Sequence, residues 1–184
     1  MDDKHKDAPW PFKFALPFVG AIIERHVDGQ KQLLVQTRHN PVRDPRYTGT
    51  IEFPGGIMDR RFESVFDVLS REILEETGLT LKRIVRGKQD EITTTGRDDK
   101  TMGFTSYYCL QQLEGDYPWV GFVFVCEVED GEPAAQHGET KNPRWMNYDD
   151  LRKMVETAPH DIFGLQLPAW RHYFADSGNE GEND

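Results

Sequence analysis

The chain of 184 residues has no apolar run approaching the roughly 20 residues of a membrane-spanning helix. Its opening, MDDKHKDAPW, lacks the apolar centre of a secretory signal, so the expected location is the cytoplasm. Cysteine is nearly absent. Cys109 and Cys126 fall singly on expected strands without Cys-x-x-Cys spacing, and no disulfide framework is expected. Positive charge is short too, with 22 Lys and Arg against 32 Asp and Glu for a formal net charge of −10. That balance argues against a nucleic-acid groove and against an anionic membrane surface. The six histidines show no ligand spacing. Gly-x-Ser-x-Gly and a phosphate-binding P-loop are both missing, which leaves serine hydrolysis and P-loop chemistry unsupported.

What is present suits one soluble domain. Hydrophobic residues make up 37%, charged residues 29%, and the mean hydropathy is −0.68. That domain is expected over residues 8–176, with polar ends at 1–7 and 177–184 expected to be disordered. The most informative stretch is Pro54 to Leu79, PGGIMDRRFESVFDVLSREILEETGL. Ser64 followed by Asp67 signals a helix start, and Gly78 supplies its stop. At helical spacing Val65, Phe66, Leu69 and Ile73 share an apolar face, with Glu72, Glu75 and Glu76 along one edge of it. Like charges so close repel, and Arg71 can offset part of this through Glu75 and Asp67, each four residues away. The uncompensated charge suits a hard divalent cation with oxygen ligands such as Mg²⁺. A solvated acidic helix face is the alternative, and the Gly-Gly turn, Glu63 and Gly78 weigh against it.

This stretch resembles the Nudix box of the Nudix hydrolases. From Glu63 the match is complete: seven residues, then Arg71-Glu72-Ile73-Leu74-Glu75-Glu76-Thr77-Gly78-Leu79. The departure is upstream, where six residues instead of the family's five separate Gly56 from Glu63. The resemblance implies an α/β fold, an α/β/α sandwich with a mixed central β-sheet. It further implies hydrolysis of a nucleoside diphosphate linked to another moiety by metal-activated water. Glu72, Glu75, Glu76 and the Gly55 carbonyl are then the expected ligands of Mg²⁺, with Mn²⁺ as an alternative. Glu72 is the first candidate for general base, Arg71 an orienting group, and Glu63 its partner or a holder of water. The family often adds one later carboxylate; Glu139 is the first candidate, with Asp98, Asp99 and Glu132 behind it. A non-catalytic Nudix-like module that binds ADP-ribose or a nucleotide sugar is the rival reading. Retention of all three helix acids argues for the enzyme.

The rest of the chain reads as strands with two late helices. Leu16 to Arg25 and Lys31 to Thr37 form an expected hairpin, and Thr50 to Phe53 is a short strand. Strand material follows at Leu79 to Thr95, and Phe104 to Leu113 is expected to pair antiparallel with Trp119 to Glu129. The latter is apolar on both faces and therefore central. Pro143 to Met146 is a short strand, Tyr148 to Thr157 a helix, and Gly164 to Phe174 a helix kinked or restarted at Pro168. The loops Arg38 to Thr50, Gly96 to Gly103 and Asp130 to Asn142 are the expected source of substrate choice. Arg38 and Glu52 could touch phosphate or base, or merely pair on the surface. Trp119, Tyr107, Tyr108 and Phe104 could stack on a base, though such residues are more often core. The expected partner is a small nucleotide diphosphate derivative, and a homodimer is compatible with the chain. A proline pattern of the family's ADP-ribose branch is missing, its place being taken by Thr93 to Thr95.

Overall fold

Leu16–Val27 and Gln30–Arg38 form a hairpin, β1 and β2, that turns on Asp28 and Gly29. Both turn residues take left-handed backbone, φ 51° and 78°, as the tightest hairpin turns demand. The structure, a computed structural model, describes residues 15–179 except 43, 116–117 and 136–139. Next come β3 (Ile51–Glu52), β4 (Gly55–Ile57), α1 (Val65–Thr77) and β5 (Leu81–Thr93). They are followed by β6 (Thr101–Ser106), β7 (Tyr108–Gln111), β8 (Trp119–Val128) and β9 (Thr140–Asn147). Two helices close the order, α2 (Tyr148–Thr157) and α3 (Leu167–Asn179).

The sheet runs β3-β2-β1-β8-β5-β6, with β4 also on β1, β7 on β8 and β9 on β2. It is mixed, because β1 and β8 are parallel while the other pairs are antiparallel. Alternation along the central strands builds a core on each face. Ile22, Leu33, Val123 and Val125 meet α2 and α3 through Leu151, Trp170 and Tyr173. Val19, Ala21, Leu34, Phe124 and Cys126 meet α1 through Phe66, Leu69 and Ile73. The architecture is the expected α/β/α sandwich. Among the described residues no helix is long and apolar enough to cross a membrane.

Three expected elements differ. Phe104 to Leu113 is two strands: β6 pairs with β5, and only β7 pairs with β8, because the chain changes neighbours at Tyr107. Of the two expectations for Pro168, the restart holds and the kink does not, so no helix begins at Gly164. Pro168 lies in the first turn of α3, where a missing N–H costs nothing. The backbone of α3 continues to Asn179, beyond the expected domain end at 176. The remaining residues of both expected disordered ends lie outside the described residues, as does part of the turn between β7 and β8.

Candidate active site

The site is built where the chain crosses from β2 to β1. β3 pairs with β2, then Phe53 and Pro54 pass over and β4 pairs with β1. The Pro54 carbonyl accepts from the Ala21 N–H at 2.9 Å. Two glycines make the approach feasible. A Cβ on Gly55 would lie 2.4 Å from the Val19 carbonyl oxygen, and one on Gly56 would lie 2.2 Å from Glu72 Cδ. Helix α1 is set against this turn by its caps. Ser64 Oγ accepts from the Asp67 N–H at 3.1 Å, and Gly78, with φ 72°, donates to the Leu74 carbonyl. Asp67 is thereby held by Ser64, and not by Arg71 as the spacing had suggested.

Arg71 instead gathers the acids around it. Its Nε and Nη2 donate to the two oxygens of Glu63 at 3.0 and 3.1 Å, a bidentate pair. Its Nη1 donates to Glu72 at 2.5 Å and to Glu75 at 3.2 Å. The extra residue upstream of Glu63 is absorbed at the surface. Phe62 is 91% exposed and takes φ 62°, costly backbone for a bulky residue, so the loop bulges outward. Glu63 keeps its place against Arg71.

Glu76 faces inward. One of its oxygens accepts from Gln36 Nε2 at 2.9 Å and from the Gly55 N–H at 2.8 Å. Burial, and then the nearby Glu52, push its carboxyl well above the ordinary range against those two bonds. Burial likewise leads in raising Glu72, opposed by Arg71. Glu52 is 3% exposed and accepts from Arg38 Nη1 at 3.0 Å, while Arg38 Nε donates to Asp44 at 3.0 Å. Its carboxyl is raised to about 7, by burial first, against the opposing Arg38 and Gln36 contacts. An acid whose folded pKa exceeds its unfolded value gives stability that is full below the unfolded value. That stability is lost as pH rises through the folded one. With chelator present, Glu52→Gln should therefore lose less stability than the parent between pH 5 and 8. The difference should be on the order of 3 kcal/mol, the worth of the shift. Denaturant melts at both pH values test this; parallel losses in the two proteins would refute it.

These groups line a cleft of about 850 Å³. Six carboxylates and three arginines border it, a formal surplus of three negative charges. Arg38, Glu52, Gly55, Arg71, Glu72, Glu75 and Glu76 are brought together here, and Glu63 joins them through Arg71. Trp119 also borders the cleft, whereas the other three aromatics do not. Phe104 lies among Phe66, Phe122 and Phe124; Tyr107 bonds Asp176; Tyr108 stacks on His172 at 4.6 Å. The later carboxylates are elsewhere too. Asp99 organises its own loop by accepting from Thr95 and Arg97, and Asp98 borders no part of the cleft. Glu132 is an exposed partner of Arg25. Glu139 lies outside the described residues. The Arg38 to Thr50 loop does reach the cleft, through Asn40, Asp44, Arg46 and Tyr47, and Asp130 to Asn142 through Thr140; Gly96 to Gly103 does not. Sequence reasoning missed Gln36, Thr140, Phe163 and Gln166. None carries a pattern in the chain; each arrives by tertiary packing.

Among the described residues no three metal-binding side chains converge at coordinating distance, and one nitrogen of Arg71 is bonded to both Glu72 and Glu75. The donor chemistry nonetheless fits a hard divalent cation. The glycine turn leaves room for the Glu72 carboxylate, all donors are oxygens, and the acids outnumber the arginines. Glu52 Oε1, Gln36 Oε1 and Thr140 Oγ1 are buried and make no hydrogen bond to the described residues. The arrangement can hold a cation beside a polyanion and place arginine against phosphate.

The family model of the NUDIX domain matches residues 18–164. No curated protein sequence matches the chain. Among solved structures, a MutT protein of Methanosarcina mazei Go1 aligns at TM-score 0.59 and 17% identity, covering 89% of this chain and 95% of that one. The Nudix domain of Shewanella oneidensis NrtR, complexed with ADP-ribose, aligns at 0.57 and 16%, covering 83% and 88%. An Ap4A hydrolase of C. elegans aligns at 0.52 and 15%, covering 88% and 99%. At such identities these likenesses speak to the fold.

Proposed function

Since the chain belongs to the Nudix family, whose domain model spans residues 18–164, we propose that it is a Mg²⁺-dependent hydrolase of nucleotide derivatives. Its reaction splits the phosphoanhydride of a nucleoside diphosphate linked to another moiety. The observation that carries this reading is the seating of Glu72 against Gly56 and of Glu76 on the Gly55 N–H, with Glu75 beside them in an acid-rich cleft. Glu72, Glu75, Glu76 and the Gly55 carbonyl would hold the cation, Mg²⁺ or in its place Mn²⁺. Glu139, next in sequence to the cleft residue Thr140, is the further ligand in this scheme. Bound there, the cation supplies charge against the diphosphate and makes water more acidic.

The chain's own groups do the rest. Glu72 receives the proton of the attacking water, as a weak base where it shares its carboxylate with the cation. Arg71, gripped by both oxygens of Glu63, sets the position of Glu72. Arg38, aimed by Asp44 and Glu52, meets phosphate, and Glu52 takes part in substrate contact with it. A panel of nucleoside triphosphates, nucleotide sugars, ADP-ribose and dinucleoside tetraphosphates tests the reading. Turnover of at least one is expected with Mg²⁺ or Mn²⁺, and none with chelator. Tight binding of ADP-ribose without turnover of any compound would replace the enzyme by a binding module.

A further inference from the structure

The crossing from β3 to β4 leaves Phe53 with a problem of hydrogen bonding. Phe53 is fully buried, and its peptide groups lie between two pairings, with β2 behind it and β1 ahead. The segment before α3 supplies the missing edge. Ile162 bridges Ile51 in parallel, and the Phe163 N–H donates to the Ile51 carbonyl at 2.8 Å. Two residues on, at Phe53 just past β3, the backbone has turned away and a side chain continues the ladder. Gln166 Oε1 accepts from the Phe53 N–H at 2.6 Å, and Gln166 Nε2 donates to the Phe53 carbonyl at 2.9 Å. Gln166 is 2% exposed, and its own carbonyl accepts from Ala169 and Trp170 at the start of α3. A primary amide is the side chain that can replace a strand neighbour's donor and acceptor together.

We propose that Gln166 is a positioning residue of the active site. Its amide fixes the Phe53–Gly56 turn, and through that turn the Gly55 N–H that holds Glu76. The inference rests on the reading of Glu76 as a metal ligand. Groups behind a ligand that fix its direction typically alter metal affinity by about 10- to 100-fold when removed. Gln166 stands behind Glu76 through the turn: Gln166 to Phe53, then Pro54 to Gly55, then the carboxylate.

The test compares Gln166→Met, close in volume but without the amide, with Val155→Ala. Val155 is a core residue of the same helical layer that does not border the cleft and bonds no group of the turn's backbone. On the full chain, Mn²⁺ binding is measured by calorimetry and backbone amide exchange is read at Phe53 and Gly55. Q166M should bind Mn²⁺ about 10-fold more weakly and exchange both amides faster. V155A, at a comparable loss of melting temperature, should keep the parent's Mn²⁺ affinity and the parent's protection at Gly55. If Q166M is unfolded, Gln166→Glu takes its place; it keeps the acceptor for the Phe53 N–H and should retain part of the protection. Parent-like Mn²⁺ affinity and Gly55 protection in a folded Gln166 variant would overturn the proposal. So would an equal loss of both in V155A. Failure of the parent protein to bind Mn²⁺ would instead sink the metal reading. The exchange at Gly55 would still decide whether Gln166 holds the turn.

Discussion

Replacing Glu76 by glutamine is expected to lower turnover by at least about 10²-fold, the scale on which charge stabilisation at a reacting group is lost. The fold should survive. A glutamine carbonyl oxygen can still accept from Gln36 Nε2 and from the Gly55 N–H, the two donors that now share one Glu76 oxygen. The change also relieves the repulsion that Glu52 and burial place on the Glu76 carboxyl. Melting temperature should therefore hold or rise while Mg²⁺-dependent activity and Mn²⁺ affinity fall together. Full activity in this variant would remove Glu76 from the site. Loss of activity with unaltered Mn²⁺ binding would make it a substrate contact.

A second large effect is expected from one methyl group. Gly56 has an ordinary negative φ, so Gly56→Ala meets no backbone penalty. Space is what forbids it, since the new Cβ would sit 2.2 Å from Glu72 Cδ and 2.4 Å from both carboxylate oxygens. The cheap escape is for the flexible Glu72 side chain to swing away. That moves the proposed base while leaving the core alone. Misplacement by about 1 Å can cost about 10²-fold in rate, and the same order is expected for kcat here. A thermal melt close to the parent's should accompany it. A parent-like kcat would mean that Glu72 does its work from a displaced position or does none.

The parts of this molecule legible in the sequence are those whose signal is local. Helix α1 could be bounded from Ser64 and Gly78 because a cap acts within a few residues of its own helix. The two-sided burial of β8 was written in its uninterrupted apolar run. Partner choice was not legible. Phe104 to Leu113 is strand-prone throughout, and nothing in its residues says that β6 joins β5 while β7 joins β8. Arg71 shows the limit in part: of the two acids that spacing offered, Glu75 is bonded but Asp67 had already been engaged by Ser64, while the family resemblance and not the spacing pointed to Glu63. The amides of Gln36 and Gln166 reach the site across separations of 40 and 113 residues, for which no spacing rule exists. The glycine turn was readable as a turn, but its tolerance for the Glu72 carboxylate needed the packed structure.

The parallel pairing of β1 with β8 also bears on the order in which the molecule can be assembled. Leu16 stands opposite Trp119 and Ile23 opposite Cys126, so this junction joins residues 103 apart in both cases. Contacts so distant in sequence carry a large loop-closure cost before they return any stability, and domains rich in them fold slowly. The acid-bearing helix rests on Phe124 and Cys126 from that same strand. While a ribosome is still making residues 79–118, α1 has been synthesised without the floor beneath it, and its apolar face has only β1 and β2 to lean on.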